Sequence, residues 1–186
     1  MFRIIFYLDW LILNMTFLSK ERRRGSSNKR KLKVGFFSFT CDEGCMVTFI
    51  EILNKKFFEW EPLLDIKYCR QLKKKNVIRD IDVAFVEGAI STFKEEKKLK
   101  EIRRNSKVLV AMGSCAVSGF PSNQRNFFDA ERKKEIDFLL KKFKHRDKVS
   151  PLKEIVKVDF EIPGCPMMEN KFIEIMEKQF KDFGIV

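Results

Sequence analysis

The segment KVGFFSFTCDEGC, residues 33–45, is the most informative part of the sequence about the fold class. Its first seven residues are a compact apolar run, which predicts a buried β-strand. The next segment, residues 45–58, predicts an amphipathic helix. Its apolar side chains recur with the spacing of one helix face, at Val47, Ile50, Leu53 and Phe57. A strand that turns directly into a helix indicates the beginning of a strand–helix–strand unit.

The same alternation continues along the chain. Apolar runs predict further strands at 63–69, 82–88 and 107–115, and periodic segments predict helices at 92–106, 129–144 and 169–184. The last of these helices should bury the stripe Phe172, Ile175, Met176, Gln179 and Phe183 and end at Gly184. Strands that alternate with helices predict a parallel sheet covered on both faces. We therefore expect an α/β fold, with a flavodoxin-like, doubly wound parallel sheet in a single domain.

The first 32 residues differ in composition from the rest. Residues 1–18 are apolar but interrupted by polar and charged side chains, and they are too short for a transmembrane helix. The basic cluster follows this apolar part, whereas in a secretory signal it would precede it. We expect residues 1–32 to be a flexible or dispensable extension, with an amphipathic membrane anchor as the alternative. Residues 33–186 would form the domain, in the cytoplasm and without membrane association.

The formal charge of +12 is concentrated near the beginning of the chain. Residues 1–33 contain nine basic and two acidic residues, whereas residues 34–186 contain 29 basic and 24 acidic ones. The body of the protein therefore has mixed charge, which is typical of a solvated surface. No nucleic-acid partner is expected.

Four of the five cysteines fall in loops that contain Gly or Pro, three of them after predicted strands and the fourth before the last predicted helix. Cys41 and Cys45 follow the first strand, Cys115 lies in GSCAVSGFP (113–121), and Cys165 lies in PGCPM (163–167). Because the carboxyl ends of parallel strands share one edge, four thiols can converge there. Cys69 ends a strand without a neighbouring Gly or Pro, and we expect it to be structural.

Four cysteine thiolates suit either a tetrahedral zinc ion or an iron–sulfur cluster. One close pair with two widely separated cysteines favours a cluster assembled from several loops. Gly44, Gly113 and Gly164 adjoin these thiols and would let the backbone approach a large cofactor. The alternative is four unlinked thiols that pack as small apolar side chains.

In combination, these motifs resemble the small subunit of nickel–iron hydrogenases and the related cluster-bearing 20 kDa subunit of respiratory complex I. The resemblance covers about residues 33–186 and rests on the cysteine-bearing turn, VEGAI (86–90), GSCA…GFP and PGCP, in that order. It implies a flavodoxin-like domain that holds one 4Fe–4S cluster, the proximal one, which faces the nickel–iron site on a large subunit.

The resemblance also implies roles for individual residues. Cys45, Cys115 and Cys165 would be cluster ligands, and Glu87 would lie near the cluster, where it can assist proton movement. A loop or helix-terminus hydrogen bond is the alternative role for Glu87. CDEGC (41–45) has three residues between its cysteines where hydrogenases usually have two, so Asp42 occupies the position of the fourth thiolate. We expect Cys41 to ligate after a small shift of the turn, with Asp42 as the alternative.

The resemblance predicts an electron-transfer subunit without activity as an isolated chain. It would relay electrons from an obligate nickel–iron large subunit to a diaphorase or ferredoxin-like subunit through a single cluster. Residues 122–128, SNQRNFF, are a candidate interface, and His145, the single histidine, is expected to be a solvated surface residue. Two alternatives stay open: a subunit of a complex I-like or membrane-bound relative, and a basic binding module without redox activity.

Overall fold

A computed structural model describes residues 30–186. The predicted extension lies outside the described residues except for its last three. The domain begins one residue earlier than predicted, because Leu32 is fully buried as the first residue of the first strand.

The described residues form seven strands and six α-helices. The strands are β1 (Leu32–Ser38), β2 (Leu64–Tyr68), β3 (Ile81–Glu87), β4 (Ile90–Thr92), β5 (Ser106–Met112), β6 (His145–Ser150) and β7 (Phe160–Ile162). The α-helices are α1 (Gly44–Lys55), α2 (Phe57–Trp60), α3 (Phe93–Arg104), α4 (Ser114–Ser118), α5 (Ala130–Lys142) and α6 (Glu169–Asp182). Single 3₁₀ turns lie at Gln124–Phe127 and Leu152–Glu154.

Five of the strands form one parallel sheet in the order β2-β1-β3-β5-β7. This is the flavodoxin-like order, in which the chain reverses direction across the sheet between β1 and β3. The predicted α/β fold is therefore confirmed, although the short edge strand β7 was not predicted. The reversal places the loops after β1 and β3 side by side, where ligand sites form in such sheets.

Consecutive phenylalanines in β1 point to opposite faces of the sheet, as side chains in a strand must. Phe36 stacks on Phe49 of α1 with ring centroids 3.7 Å apart, in a core that also contains Phe172 of α6. Phe37 lies on the other face, in the core that includes Leu99 of α3. Helices thus cover both faces, as the doubly wound prediction requires.

One predicted helix face was placed wrongly, and a second differs by one residue. Val47 of α1 and Phe57, which begins α2, belong to the first predicted stripe, yet their exposed fractions are 57% and 47%. The buried face consists of Cys45, Met46, Thr48, Phe49 and Ile52. It is rotated because the helix turns its cysteine and Phe49 toward the sheet. In α6, Phe180 replaces Phe183 among the buried residues.

A second, antiparallel pair of strands, β4 and β6, was not predicted. His145 begins β6 opposite Thr92, and its Nδ1 lies 3.3 Å from the Ser91 carbonyl oxygen. The histidine is therefore half-buried, and its prediction as a solvated surface residue was wrong. Within residues 30–186, no helix has the length and apolar character needed to cross a membrane.

Candidate functional site

The four cysteines of the predicted site all lie at the carboxyl edge of the parallel sheet. Cys41 follows β1, Cys45 lies in the first turn of α1, Cys115 is in α4 directly after β5, and Cys165 follows β7. The predicted common edge is therefore present, because these three strands are parallel. All four thiols are free.

Backbone hydrogen bonds join the loops that carry these cysteines. The Gly113 N–H donates to the Ile162 carbonyl over 2.7 Å, and the Ser114 N–H donates to the Gly164 carbonyl over 2.8 Å. The loop after β1 is tied in turn to the loop after β3, because Thr40 and Ala89 exchange two backbone hydrogen bonds of 2.9 and 3.1 Å. The edge is thus one connected surface.

Two of the glycines allow the close approach of these segments. A Cβ atom at Gly113 would collide with the Cys45 sulfur, and its φ of 83° also disfavours any side chain. A Cβ at Gly164 would lie 2.6 Å from the Pro166 carbonyl oxygen, at a φ of 112°. Gly44 is less restricted, since its Cβ would meet the Asp42 Oδ1 at 3.2 Å.

Cys41 and Cys45 lie in a setting that opposes the thiolate form. Burial, followed by the nearby Glu87 carboxylate, raises the pKa of Cys41 to about 12, and Cys115 and Cys45 act in the same direction. Burial also raises the pKa of Cys45 to about 12, with contributions from Glu87, Cys165 and Cys115. These interactions link all four thiols. Two neutral thiols of this kind need a positive centre to ionise, and an iron ion provides one.

Glu87, the last residue of β3, is buried beside Cys41. Its Oε1 accepts a hydrogen bond from the Ser38 hydroxyl over 2.7 Å, and its Oε2 accepts from the Met46 N–H over 3.2 Å. Burial raises the pKa of Glu87, and the bonds from Ser38 and Met46 offset only part of that shift. Glu87 therefore accepts a hydrogen bond from the first turn of α1 and also lies beside the Cys41 thiol.

Asp42 and Cys41 differ in orientation. Asp42 is exposed, and its Oδ1 accepts a hydrogen bond from the Gly44 N–H over 3.0 Å. The Cys41 thiol is half-buried and lies 3.6 Å from the Phe39 carbonyl oxygen. Cys41 is the less exposed of the two, while Asp42 closes the turn.

Sequence reasoning missed two hydroxyls at this site. Ser38 donates to Glu87, and the Ser122 hydroxyl lies 3.3 Å from the Cys115 sulfur. Residues 122–128 were predicted only as an interface. Ser38 lies three residues before Cys41, and Ser122 lies seven residues after Cys115. Only the fold shows which way their hydroxyls point. Cys69 is fully buried in the core and is separate from this set, as its predicted structural role requires.

The donor set is compatible with an iron–sulfur cluster. Among residues 30–186, no three His, Cys, Asp or Glu side chains are placed to hold one metal ion. In a 4Fe–4S cluster the four thiolates bind to different iron atoms and surround a larger group. Four thiols from three loops, with glycine backbone between them, suit that arrangement.

Comparisons with known proteins agree with this fold. The sequence profile of the family described as "NADH ubiquinone oxidoreductase, 20 Kd subunit" matches residues 41–178. A subunit of the F420-non-reducing hydrogenase vhu of Methanocaldococcus jannaschii is 30% identical over 148 residues, which is 73% of this chain and 51% of that protein. The NAD-reducing hydrogenase HoxS subunit delta of Cupriavidus necator is 25% identical, over 82% of this chain and 80% of that one. The chain thus spans about half the length of the methanogen relative.

Among solved structures, a chain of an NAD+-reducing NiFe-hydrogenase in the H2-reduced state superimposes with a TM-score of 0.69. The match has 24% sequence identity and covers 80% of this chain and 90% of that one. At this level of identity, the match establishes a common fold.

Proposed function

This chain belongs to the NADH ubiquinone oxidoreductase 20 Kd subunit family, and we propose that it is the electron-transfer small subunit of a cytoplasmic nickel–iron hydrogenase. The observation that carries the proposal is the meeting of four cysteines from three loops at the carboxyl edge of the sheet. Several relatives are named as hydrogenase subunits, which supports this reading over a basic binding module.

Cys41, Cys45, Cys115 and Cys165 would hold one 4Fe–4S cluster. When bound, the cluster would supply one-electron transfer at this edge. Gly113 keeps the space beside the Cys45 sulfur open, and the burial of Cys45 excludes water from that side. Glu87 would lie next to Cys41, where its buried carboxyl group could assist proton movement.

The large partner would cover the exposed part of the same edge. Cys165 is exposed, as are three large apolar side chains on the surrounding loops: Phe120, Phe127 and Met168, with exposed fractions of 58%, 77% and 56%. Phe127 belongs to the predicted interface at 122–128. Exposed apolar side chains on loops near this edge would suit a surface that a partner covers. A diaphorase or ferredoxin-like subunit would then receive the electrons.

The test is the iron and acid-labile sulfide content of the full chain after anaerobic reconstitution. We expect about four of each per chain, as one 4Fe–4S cluster requires. Cys115→Ser should lose the cluster, and Cys69→Ser is the matched control that should keep it. Zinc alone, or no metal in a folded chain, would contradict the proposal.

A further inference from the structure

Ser122 presents one hydroxyl to two acceptors. Its Oγ lies 3.3 Å from the Cys115 sulfur and 3.1 Å from the Thr40 carbonyl oxygen. The loop that carries it is held in place, because the N–H of the next residue, Asn123, donates to the Gly119 carbonyl over 2.9 Å. The backbone therefore fixes where the hydroxyl stands but leaves its hydrogen free to turn.

A serine hydroxyl has a single hydrogen to donate. Ser122 can therefore bond either to Thr40 or to Cys115 at a given moment. The Thr40 carbonyl already accepts the Ala89 N–H over 2.9 Å, so it keeps a partner when the hydroxyl turns away. A cysteine sulfur that ligates a cluster carries negative charge, and a charged acceptor forms a stronger hydrogen bond than a neutral one. As a ligand, the Cys115 sulfur would therefore compete with the Thr40 carbonyl for the Ser122 hydroxyl.

We propose that Ser122 is a positioning residue that donates its hydroxyl hydrogen to the Cys115 sulfur and thereby raises the reduction potential of the cluster. This inference rests on the proposed function, in which Cys115 is a cluster ligand. Hydrogen bonds to the ligating sulfurs are among the groups that set a cluster's potential. The bond strengthens when the sulfur gains negative charge, so it stabilises the reduced form more than the oxidised form.

The measurement is the midpoint potential of the reconstituted full chain, from an anaerobic titration followed by absorbance and by the EPR signal of the reduced cluster. In Ser122→Ala, we expect a more negative midpoint. The loss of one hydrogen bond should shift the reduction equilibrium by about threefold to tenfold, and a tenfold shift corresponds to about 59 mV for one electron. Ser118→Ala is the control, since the Ser118 hydroxyl donates to the Ser114 carbonyl and not to a sulfur.

A second pair of variants separates the hydroxyl from the space it fills. Thr and Val have nearly the same shape, so Ser122→Thr should keep the wild-type midpoint while Ser122→Val shifts it as Ala does. Full iron content with the same midpoint in Ser122→Ala, or equal midpoints for the Thr and Val variants, would overturn the inference. If the wild-type chain itself takes up no iron and sulfide, then the proposed function fails before this comparison begins.

Discussion

Single residues decide how closely the loops of the site can approach one another. Gly113 stands where a side chain would collide with the Cys45 sulfur, and Gly164 stands where it would meet the Pro166 carbonyl. The cysteines themselves come from segments that are far apart in sequence. The spacing of the four sulfurs therefore depends on backbone positions that only glycine can occupy.

Gly113→Ala should prevent cluster incorporation. The new methyl group would lie against the Cys45 sulfur and push it from its position. The matched control is Gly184→Ala, because Gly184 also has a positive φ, of 63°, but a Cβ there meets nothing within 4 Å. Gly184→Ala should lose about 1 kcal/mol of folding free energy from backbone strain, and Gly113→Ala should lose more, because its φ of 83° and ψ of 164° lie in a region almost restricted to glycine. Iron and sulfide analysis should show full content for Gly184→Ala alone, and full content in Gly113→Ala would refute the role of this glycine.

The fourth ligand can be identified with two substitutions. Cys41→Ser should abolish cluster incorporation, because the half-buried Cys41 thiol lies near enough to Cys115 and Cys45 for both to influence its pKa. Asp42→Ala should keep the cluster, because the Asp42 carboxylate is exposed and bonds to the Gly44 N–H. The visible absorbance of the reconstituted chains measures both outcomes. Loss of the cluster in Asp42→Ala but not in Cys41→Ser would make the carboxylate the ligand.

At the scale of elements, the helices differ in how much they contribute to the core. α6 buries five side chains, whereas α5 buries none and leaves Phe138 with an exposed fraction of 68%. At the edge of the sheet opposite the cysteines, polar contacts join neighbouring elements. There the Asp159 Oδ2 accepts the Leu109 N–H over 2.9 Å and the Arg103 Nη1 over 2.6 Å, which ties α3 and β5 to the segment before β7.

Asp159→Asn should destabilise the protein at neutral pH. Burial alone would raise the pKa of Asp159, but the bonds from Leu109 and Arg103 outweigh it and hold the pKa below its usual range. Because the pKa of Asp159 is lower in the folded protein than its ordinary value of about 3.9, the ionised carboxylate stabilises the fold at any pH above that value. This stabilisation is lost as the pH falls through the pKa of the folded state. We expect a loss of about 1–2 kcal/mol at pH 7, since charged hydrogen bonds of a partly exposed pair are removed.

Urea denaturation across the acid range measures this difference. The gap between the wild type and Asp159→Asn should be constant from pH 7 to about 5 and should close below about pH 4. Asp137→Asn is the control, since the Asp137–Lys141 pair lies on the exposed surface of α5, and it should show no measurable change. A gap that is the same at all pH values would show that the charge of Asp159 does not stabilise the fold.

Over the whole molecule, most basic residues of the domain are balanced by acidic ones, whereas residues 1–33 carry an excess of positive charge. Many lysines of the described domain lie in ion pairs, such as Lys148 with Glu154 and Lys178 with Asp182. The charge excess lies mainly in residues 1–33. A mixed surface of this kind does not favour binding to a polyanion.

Removal of residues 1–29 should weaken whatever affinity the full chain has for DNA at low salt. The deletion removes six basic and two acidic residues and leaves β1 complete. Fluorescence anisotropy at several salt concentrations, for the full chain and the shortened one, gives the number of phosphate contacts of each. Steep salt dependence that persists in residues 30–186 would instead support a basic binding module.

The sequence by itself determined four of the five strands of the parallel sheet, its flavodoxin-like class and the edge at which the four cysteines meet. It could do so because buried parallel strands are continuous apolar runs, and their connection rules leave few arrangements. Tertiary structure alone decided the rotation of α1, the pairing of β4 with β6, and the contacts of Ser38 with Glu87 and of Ser122 with Cys115. These depend on which side chains from distant segments come within a few ångströms, and no local periodicity records that distance.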